Sequence, residues 1–413
     1  MPKGLKRAVA LLLIAALCLP LGACWDSIEL SSQIFAVNLG LDSGKNLALR
    51  MTMELPRISR TGTGSGTANS NDSSGAGDPS LILNDYVLVQ VEGNTIIECL
   101  NALRVSVPRS VSLVKLMGIY ISESFVHEGI LFDTLTALIQ PHQIRPMAYV
   151  YVCKGRAEDA LRIKEPSFGM RLSKSIVAEI ETLKRISVLA YEPLIQFYNR
   201  LLDGGGDAYA ITVAVNNAEF FSQPGGRDGE QPLDYGPGNV PANSPIPLDT
   251  LGTAIFHNDH IVLFLNAYET QLFNLGLGEF ITADLNVNDA TRTLQIQIGQ
   301  LNHPNLKVDN SGERLIVYLD VYLRASSYVG TFVDGRDLVC ARVRATLEND
   351  LTDLLLRIQQ TGADPLNIVG RVQKGFWTKR QFDEYGWSEK YKNAGFVVKV
   401  HLAYTSEAMV AYS

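Results

Sequence analysis

The sequence is poor in several features that would otherwise steer its interpretation. Its 413 residues include five cysteines, Cys18, Cys24, Cys99, Cys153 and Cys340, too scattered for a disulfide framework or a zinc spacing. It has no basic block and its net charge is −7, which argues against nucleic acid as a partner. Beyond residue 23 no apolar run reaches the length of a membrane span, and stretches such as Ile261 to Leu265 are strand-sized. No G-x-S-x-G, Walker A, H-E-x-x-H or EF-hand pattern occurs. Gly62, Gly64 and Gly66 lie in low complexity, not between a strand and a helix, so they form no dinucleotide loop. His257 and His260 have an H-x-x-H spacing, but no third ligand lies near them in the sequence. The expectation is therefore a protein with no catalytic residues, no metal and no bound cofactor.

What is present begins with an address. Lys3, Lys6 and Arg7 precede AVALLLIAALCL, Ala8 to Leu19, a run of twelve apolar residues. As a helix it spans about 18 Å, too short for a hydrocarbon core of about 30 Å. A basic head, a short apolar run and small residues before a cleavage point describe a secretory signal peptide over residues 1–23. The small-residue stretch Leu21-Gly22-Ala23 ends on Cys24. It resembles a bacterial lipobox, in which diacylglycerol is attached to the cysteine thiol and the chain is cut before it. Cys24 is therefore the expected lipid-attachment residue, with the covalent lipid in place of any cofactor. Two or three acyl chains, at about 0.8 kcal/mol per buried methylene, anchor stably where one does not. Loss of the basic head makes the mature chain more acidic still. Cys99, Cys153 and Cys340 sit in apolar contexts and read as small core residues.

The rest of the chain reads as an α+β protein of three consecutive mixed blocks, each a largely antiparallel sheet backed by helices. The first covers residues 24–158. It carries strand-like runs at Gln33 to Asp42, Leu47 to Leu55, Tyr86 to Glu92, Leu113 to Ser122 and Met147 to Cys153, with helical spacing after Asn94 and from Ile130. The second covers residues 159–278. It has helical patterns near Arg171 to Arg185 and Pro193 to Leu202, then a strand from Tyr209. Two further apolar runs, to His257 and from His260, are joined by Asn258-Asp259, a pair able to form a hairpin turn. The third covers residues 279–413 and holds alternating strands near Thr291 and Arg314. A long helix over about 341–360 shows Val343, Leu347, Leu351, Leu354 and Ile358 on one face, and a closing strand starts at Val397. Two excursions, residues 59–80 without a large apolar residue and residues 222–247 with six prolines, are expected to be flexible. The aromatic set Phe376, Trp377, Phe382, Tyr385 and Trp387 is expected to pack onto a sheet.

Several stretches together resemble the Ger(x)C lipoproteins, the C subunits of nutrient germinant receptors in bacterial spores. CWDSIELSSQIFAVNLGLD resembles that family's opening, including Trp25-Asp26 after the lipid cysteine. LGTAIFHNDHIVLFLNAYETQLFNLGLG resembles its central motif, and ADPLNIVGRVQKGFWTKR its C-terminal basic-aromatic segment. The family's central turn is usually lysine-rich, whereas His257 to His260 stand here. The resemblance implies a non-catalytic subunit anchored through Cys24 to the outer face of the spore inner membrane. Its partners would be a membrane A-type subunit, a transporter-like B-type subunit and the bilayer itself. The competing expectation, a solute-binding lipoprotein of a membrane transporter, calls for two similar lobes of repeated βαβ units, which the three dissimilar blocks do not suggest.

Overall fold

The computed structural model describes residues 4, 32–56, 86–140, 144–163, 172–203, 205–216, 231–242, 244, 246–290, 292–328 and 332–405. Cys24, Trp25, Asp26, the excursion at 59–80 and the first part of 222–247 lie outside them.

An eight-stranded mixed sheet organises the first two thirds of the chain. Its strands are β2 (Asn38–Ser43), β3 (Leu49–Pro56), β4 (Tyr86–Gly93), β6 (Gly118–Ser122), β7 (Tyr149–Lys154), β8 (Tyr209–Val215), β9 (Leu248–His257) and β10 (His260–Leu265). They lie in the order β10-β9-β8-β7-β6-β2-β3-β4. Pairing is parallel from β2 through β6 and β7 to β8, and antiparallel toward both edges. The central strands are covered on both faces, which is why they read as near-continuous apolar runs. Alternation divides them: Ile119 and Ile121 enter one core with Val150 and Val152, while Tyr120 and Tyr151 enter the opposite one. The two tyrosines, partners in register, stack with ring centroids 4.4 Å apart. Helices α1 (Ile96–Ser106), α3 (Leu131–Ile139) and α6 (Leu194–Asp203) cover the first face. Helices α4 (Ala157–Ile163) and α5 (Leu172–Arg185) cover the second, and α2 (Glu123–His127) follows β6 directly. A side strand β1 (Gln33–Phe35) pairs with β5 (Ser110–Ser112).

The boundary expected at residue 158 is crossed by this sheet. β7 and β8 are hydrogen-bonded in parallel, and residues 157–203, helices α4 to α6, form the crossover between them. Parallel neighbours need such a long connection. The change of pattern in the sequence therefore marks a crossover, and the first two blocks share one sheet. Two other readings shift locally. The run at Leu113 to Ser122 begins its strand only at Gly118, and α1 is capped by Thr95, whose side chain accepts from the Glu98 N–H. The excursion at 222–247 is not loose throughout. Asp249 accepts N–H bonds from Gly238 and Val240, and the Leu233 and Tyr235 carbonyls accept from Tyr268 and Ala267.

The expected hairpin turn is present, with Asn258 at φ 56° between β9 and β10. Gly252 opens the apolar part of β9 at φ 84°. A Cβ there would meet the Leu265 carbonyl oxygen at 2.5 Å, so the position demands glycine. After β10 comes α7 (Ala267–Leu277), held by a capping box between Asn266 and Glu269 and ended by Gly278 in the left-handed region.

A second sheet follows, in the order β11 (Thr282–Asp289), β12 (Arg292–Asp309), β13 (Ile316–Ser327), β14 (Gly395–Tyr404). Helix α8 (Arg336–Gln360) crosses between the parallel pair β13 and β14. It starts at Arg336, ahead of the expected 341, and buries Val343, Leu347, Leu351, Leu354 and Ile358 as its spacing requires. Short helices α9 (Ile368–Gln373), α10 (Lys379–Tyr385) and α11 (Trp387–Lys392) lead into β14. The α+β class stands, with antiparallel pairing dominant outside the central parallel strands.

Leu351 is fully buried and Asp353, on the same helix, is exposed. Leu351→Ala should lower unfolding free energy in urea by about 2–5 kcal/mol, whereas Asp353→Ala should stay within about 0.5 kcal/mol. Equal effects would remove the assigned face of α8.

Candidate functional site

The sequence offered one functional residue, Cys24, which lies outside the described residues. The structure adds a polar joint where the two sheets meet. Three segments converge on it: residues just before β8, the β9–β10 turn, and the connection from α8 to α9. None is chemically unusual by itself.

Asp207 is its centre. Its backbone N–H donates to the Asp364 carbonyl at 3.0 Å, and the Asp364 N–H donates back to Asp207 Oδ2 at 2.7 Å. The other Asp207 oxygen accepts the Asn258 N–H at 3.1 Å, and His257 Nδ1 lies 3.2 Å from it. One carboxylate therefore ties the hairpin turn to the C-terminal segment. Arg200 on α6 braces the same place from below. It donates to the carbonyls of Asp207 and Pro365, sits over the Tyr209 ring and pairs with Glu192 at 2.6 Å. Gly206, at φ 107°, lets the chain pass beside Arg200 and Asn367.

Asp364 is 3% exposed, and its two oxygens accept the first N–H groups of α9, from Ile368 at 2.9 Å and Val369 at 2.7 Å. Burial pushes its carboxyl up to about 7, against the pull of those two N–H bonds. Glu192, 4% exposed, is likewise raised to about 7 by burial, with Arg200 opposing. Both are acids placed in a dry joint, not a matched acid and base around an open site.

Most of the remaining sequence candidates have a structural explanation. His257 and His260 flank the turn, and no group of three or more metal-ligating side chains occurs among the described residues. Cys99 and Cys153 are buried, and desolvation pushes the Cys99 thiol up to about 11, so it is an inert core residue. Cys340 is half-buried, short of the core position expected for it. Phe376, Phe382 and Tyr385 form a cluster with centroids 5.1–6.4 Å apart, and Trp387 stacks on Tyr391. Trp377 breaks the expectation: it is 94% exposed and packs on no sheet. A polar cleft of about 620 Å³ lies between the 231–235 segment and β11 and β12; its Asp234 and Asp284 already accept bonds from Asn266 and Tyr328. Asp207, Asp364, Glu192 and Arg200 escaped the sequence reading. The one available signal was Asp364-Pro365 following the helix end at Gly362, since a buried aspartate before proline serves a turn or cap.

The folded-state pKa of Asp364 lies above the ordinary aspartate value, so its protonated form favours folding. That contribution is present below about pH 4 and is lost as pH rises toward about 7. Thermal melts across this window should show the wild-type Tm falling relative to that of Asp364→Asn, which cannot ionise. Parallel courses would mean that the two N–H bonds keep Asp364 charged.

Comparison with known proteins places these features in a family. A model described as "Spore germination protein N-terminal domain" matches residues 26–215, and "Spore germination B3/ GerAC like, C-terminal" matches residues 251–405. The first match ends with β8 and the second starts inside β9, so Asp207 belongs to one matched region and its partners His257 and Asp364 to the other. A Bacillus subtilis (strain 168) protein, YfkR, whose name assigns it to spore germination, is 23% identical over 405 residues, 95% of this chain and 94% of that protein. The crystal structure of the GerBC protein shares the fold with a TM-score of 0.50 at 13% identity, covering 89% of this chain and 96% of that one. With both of its domains matched in order along the same polypeptide, the chain belongs to the GerAC-like family of spore germination proteins.

Proposed function

We propose that this chain is the C subunit of a nutrient germinant receptor, a non-catalytic lipoprotein that works beside membrane A-type and B-type subunits at the outer face of the spore inner membrane. The observation that carries the reading is positional. The family match begins at residue 26, two residues after Cys24, which supports reading the lipobox-like stretch as the start of the mature chain. Attachment of diacylglycerol to the Cys24 thiol then leaves Trp25-Asp26 and a short lead into β1. A tether of that kind confines the folded body to a membrane layer and raises its effective concentration beside membrane subunits. The role is mechanical and positional: the joint at Asp207 holds the two sheets in one relation, with no reacting group among them.

Spores lacking the gene should lose the response to nutrient while still germinating with a receptor-independent trigger. Cys24→Ala should weaken or abolish the nutrient response and release the chain from the membrane fraction. A normal nutrient response in the deletion, in a strain without a redundant receptor, would sink the reading.

A further inference from the structure

Trp377 is the anomaly of the C-terminal region. It sits in the connection between α9 and α10, 94% exposed, and the half-buried Phe376 beside it packs on Phe382 and Tyr385. Burying a tryptophan is worth more than burying almost any other side chain, so leaving one in water requires a reason. A loose loop is not that reason. The Trp377 backbone N–H donates to Gln381 Oε1 at 3.1 Å, and Thr378 Oγ1 accepts the Gln381 backbone N–H at 3.3 Å, capping α10. The backbone of the turn is fixed from both sides and Phe376 is packed into the aromatic cluster beneath it, so the position that carries the exposed indole is well defined.

Charge around the tip is equally distinctive. From Pro365 to Phe382 the chain has Arg371, Lys374, Lys379 and Arg380 and not one acidic residue, within a protein of net charge −7. Arg371 donates to the Leu306 carbonyl and Arg380 pairs with Glu384. Lys374 and Lys379 have no ion-pair partner among the described residues, and both are exposed. Two cations without an ion-pair partner among the described residues thus flank one exposed indole within six residues.

We infer that this tip is a second membrane contact, in which Trp377 enters the headgroup layer of an anionic bilayer and Lys374 and Lys379 meet its phosphates. The inference rests on the membrane-anchored reading of the chain. Indole is suited to that layer because one end is apolar and the N–H stays hydrated, and nearby lysines are attracted by anionic lipid. A protein partner fits less well. Specific protein interfaces bury on the order of 800 Å² per partner around an apolar centre, whereas this tip offers a single largely exposed ring: Phe376, Phe382 and Tyr385 beside it are half-buried against the core, and the other side chains around it are mostly polar or charged. The contact would fix the orientation of the second sheet over the membrane, which a single N-terminal tether leaves free.

The test uses the full chain reconstituted into vesicles of phosphatidylcholine alone or of phosphatidylcholine enriched in phosphatidylglycerol, with brominated acyl chains as quencher. The chain has three tryptophans, Trp25, Trp377 and Trp387. Trp25→Phe with Trp387→Phe leaves Trp377 as the sole reporter; the difference between wild type and Trp377→Ala gives the same signal if that double variant folds poorly. Expected is blue-shifted, quenched Trp377 emission on the anionic vesicles. Lys374→Gln and Lys379→Gln should each lower the preference for anionic over neutral vesicles by about fivefold. Solvent-like, unquenched emission on both vesicle types would overturn the inference. Shielding of Trp377 that occurs only in native membranes would overturn it in favour of a protein partner. Flotation of the chain with the vesicles reads the N-terminal anchor separately, and Trp377→Ala should leave it unchanged.

Discussion

Helix α7 is the piece on which both halves of the molecule depend. Nine of its eleven residues are buried, so it has almost no face left for water. Tyr268, Leu272, Phe273 and Leu275 lie in the core of the second sheet, while Ala267 belongs to the core beneath the first. A helix enclosed on this scale must satisfy its polar side chains internally. The amide NH2 of Asn274 does so by donating to the carbonyls of Ser187 and Leu189, and that of Gln271 by donating to the carbonyl of Ile186, while the two amide oxygens stay buried without a partner. Those carbonyls belong to the crossover between β7 and β8. The helix therefore couples the crossover to the second sheet, and neither sheet has an independent apolar core at this boundary.

The joint at Asp207 closes the same interface on its polar side. Apolar burial fixes that two surfaces touch; it is non-directional and fixes their relative rotation weakly. Hydrogen bonds to a carboxylate are directional and stronger than neutral ones. The reciprocal pairing of Asp207 with Asp364, reinforced by Arg200, supplies the angular constraint. Burying two acids to obtain it is costly, which is visible in the raised Asp364 and Glu192. The matched family regions meet at this point, so for a subunit proposed to act by holding and transmitting position it is the natural place for rigidity.

Trp377 and the joint divide the C-terminal region into two roles. The α8–α9 connection faces the first sheet through Asp364, whereas the α9–α10 connection, beginning ten residues further at Lys374, turns Lys374 and Trp377 to solvent while Phe376 stays against the second core. Seven residues, 361–367, join α8 to α9, and short capped helices turn the chain between these two surfaces. Compact turns of this kind can present a rigid side chain to an external surface without disturbing the core that carries it.

Local physics made much of this legible in the sequence alone. The α+β class, the hairpin at Asn258-Asp259 and the buried stripe of α8 follow from periodicity and turn chemistry, which act over a few residues. The lipobox-like run to Cys24 and the family resemblance are likewise written in consecutive residues. Sheet membership is not. That β7 pairs with β8 across a helical crossover depends on contacts between residues about 60 apart in the chain, and an interrupted pattern looks the same whether a sheet ends or only its chain leaves it. The joint was hidden for the same reason: Asp207 and Asp364 are 157 residues apart, and although Asp364-Pro365 hints at a turn or cap, nothing local to either aspartate says that it pairs with the other. The exposure of Trp377 was decided last of all, because whether an aromatic in a short polar turn faces inward or outward depends on the packing of Phe376, Phe382 and Tyr385 beneath it.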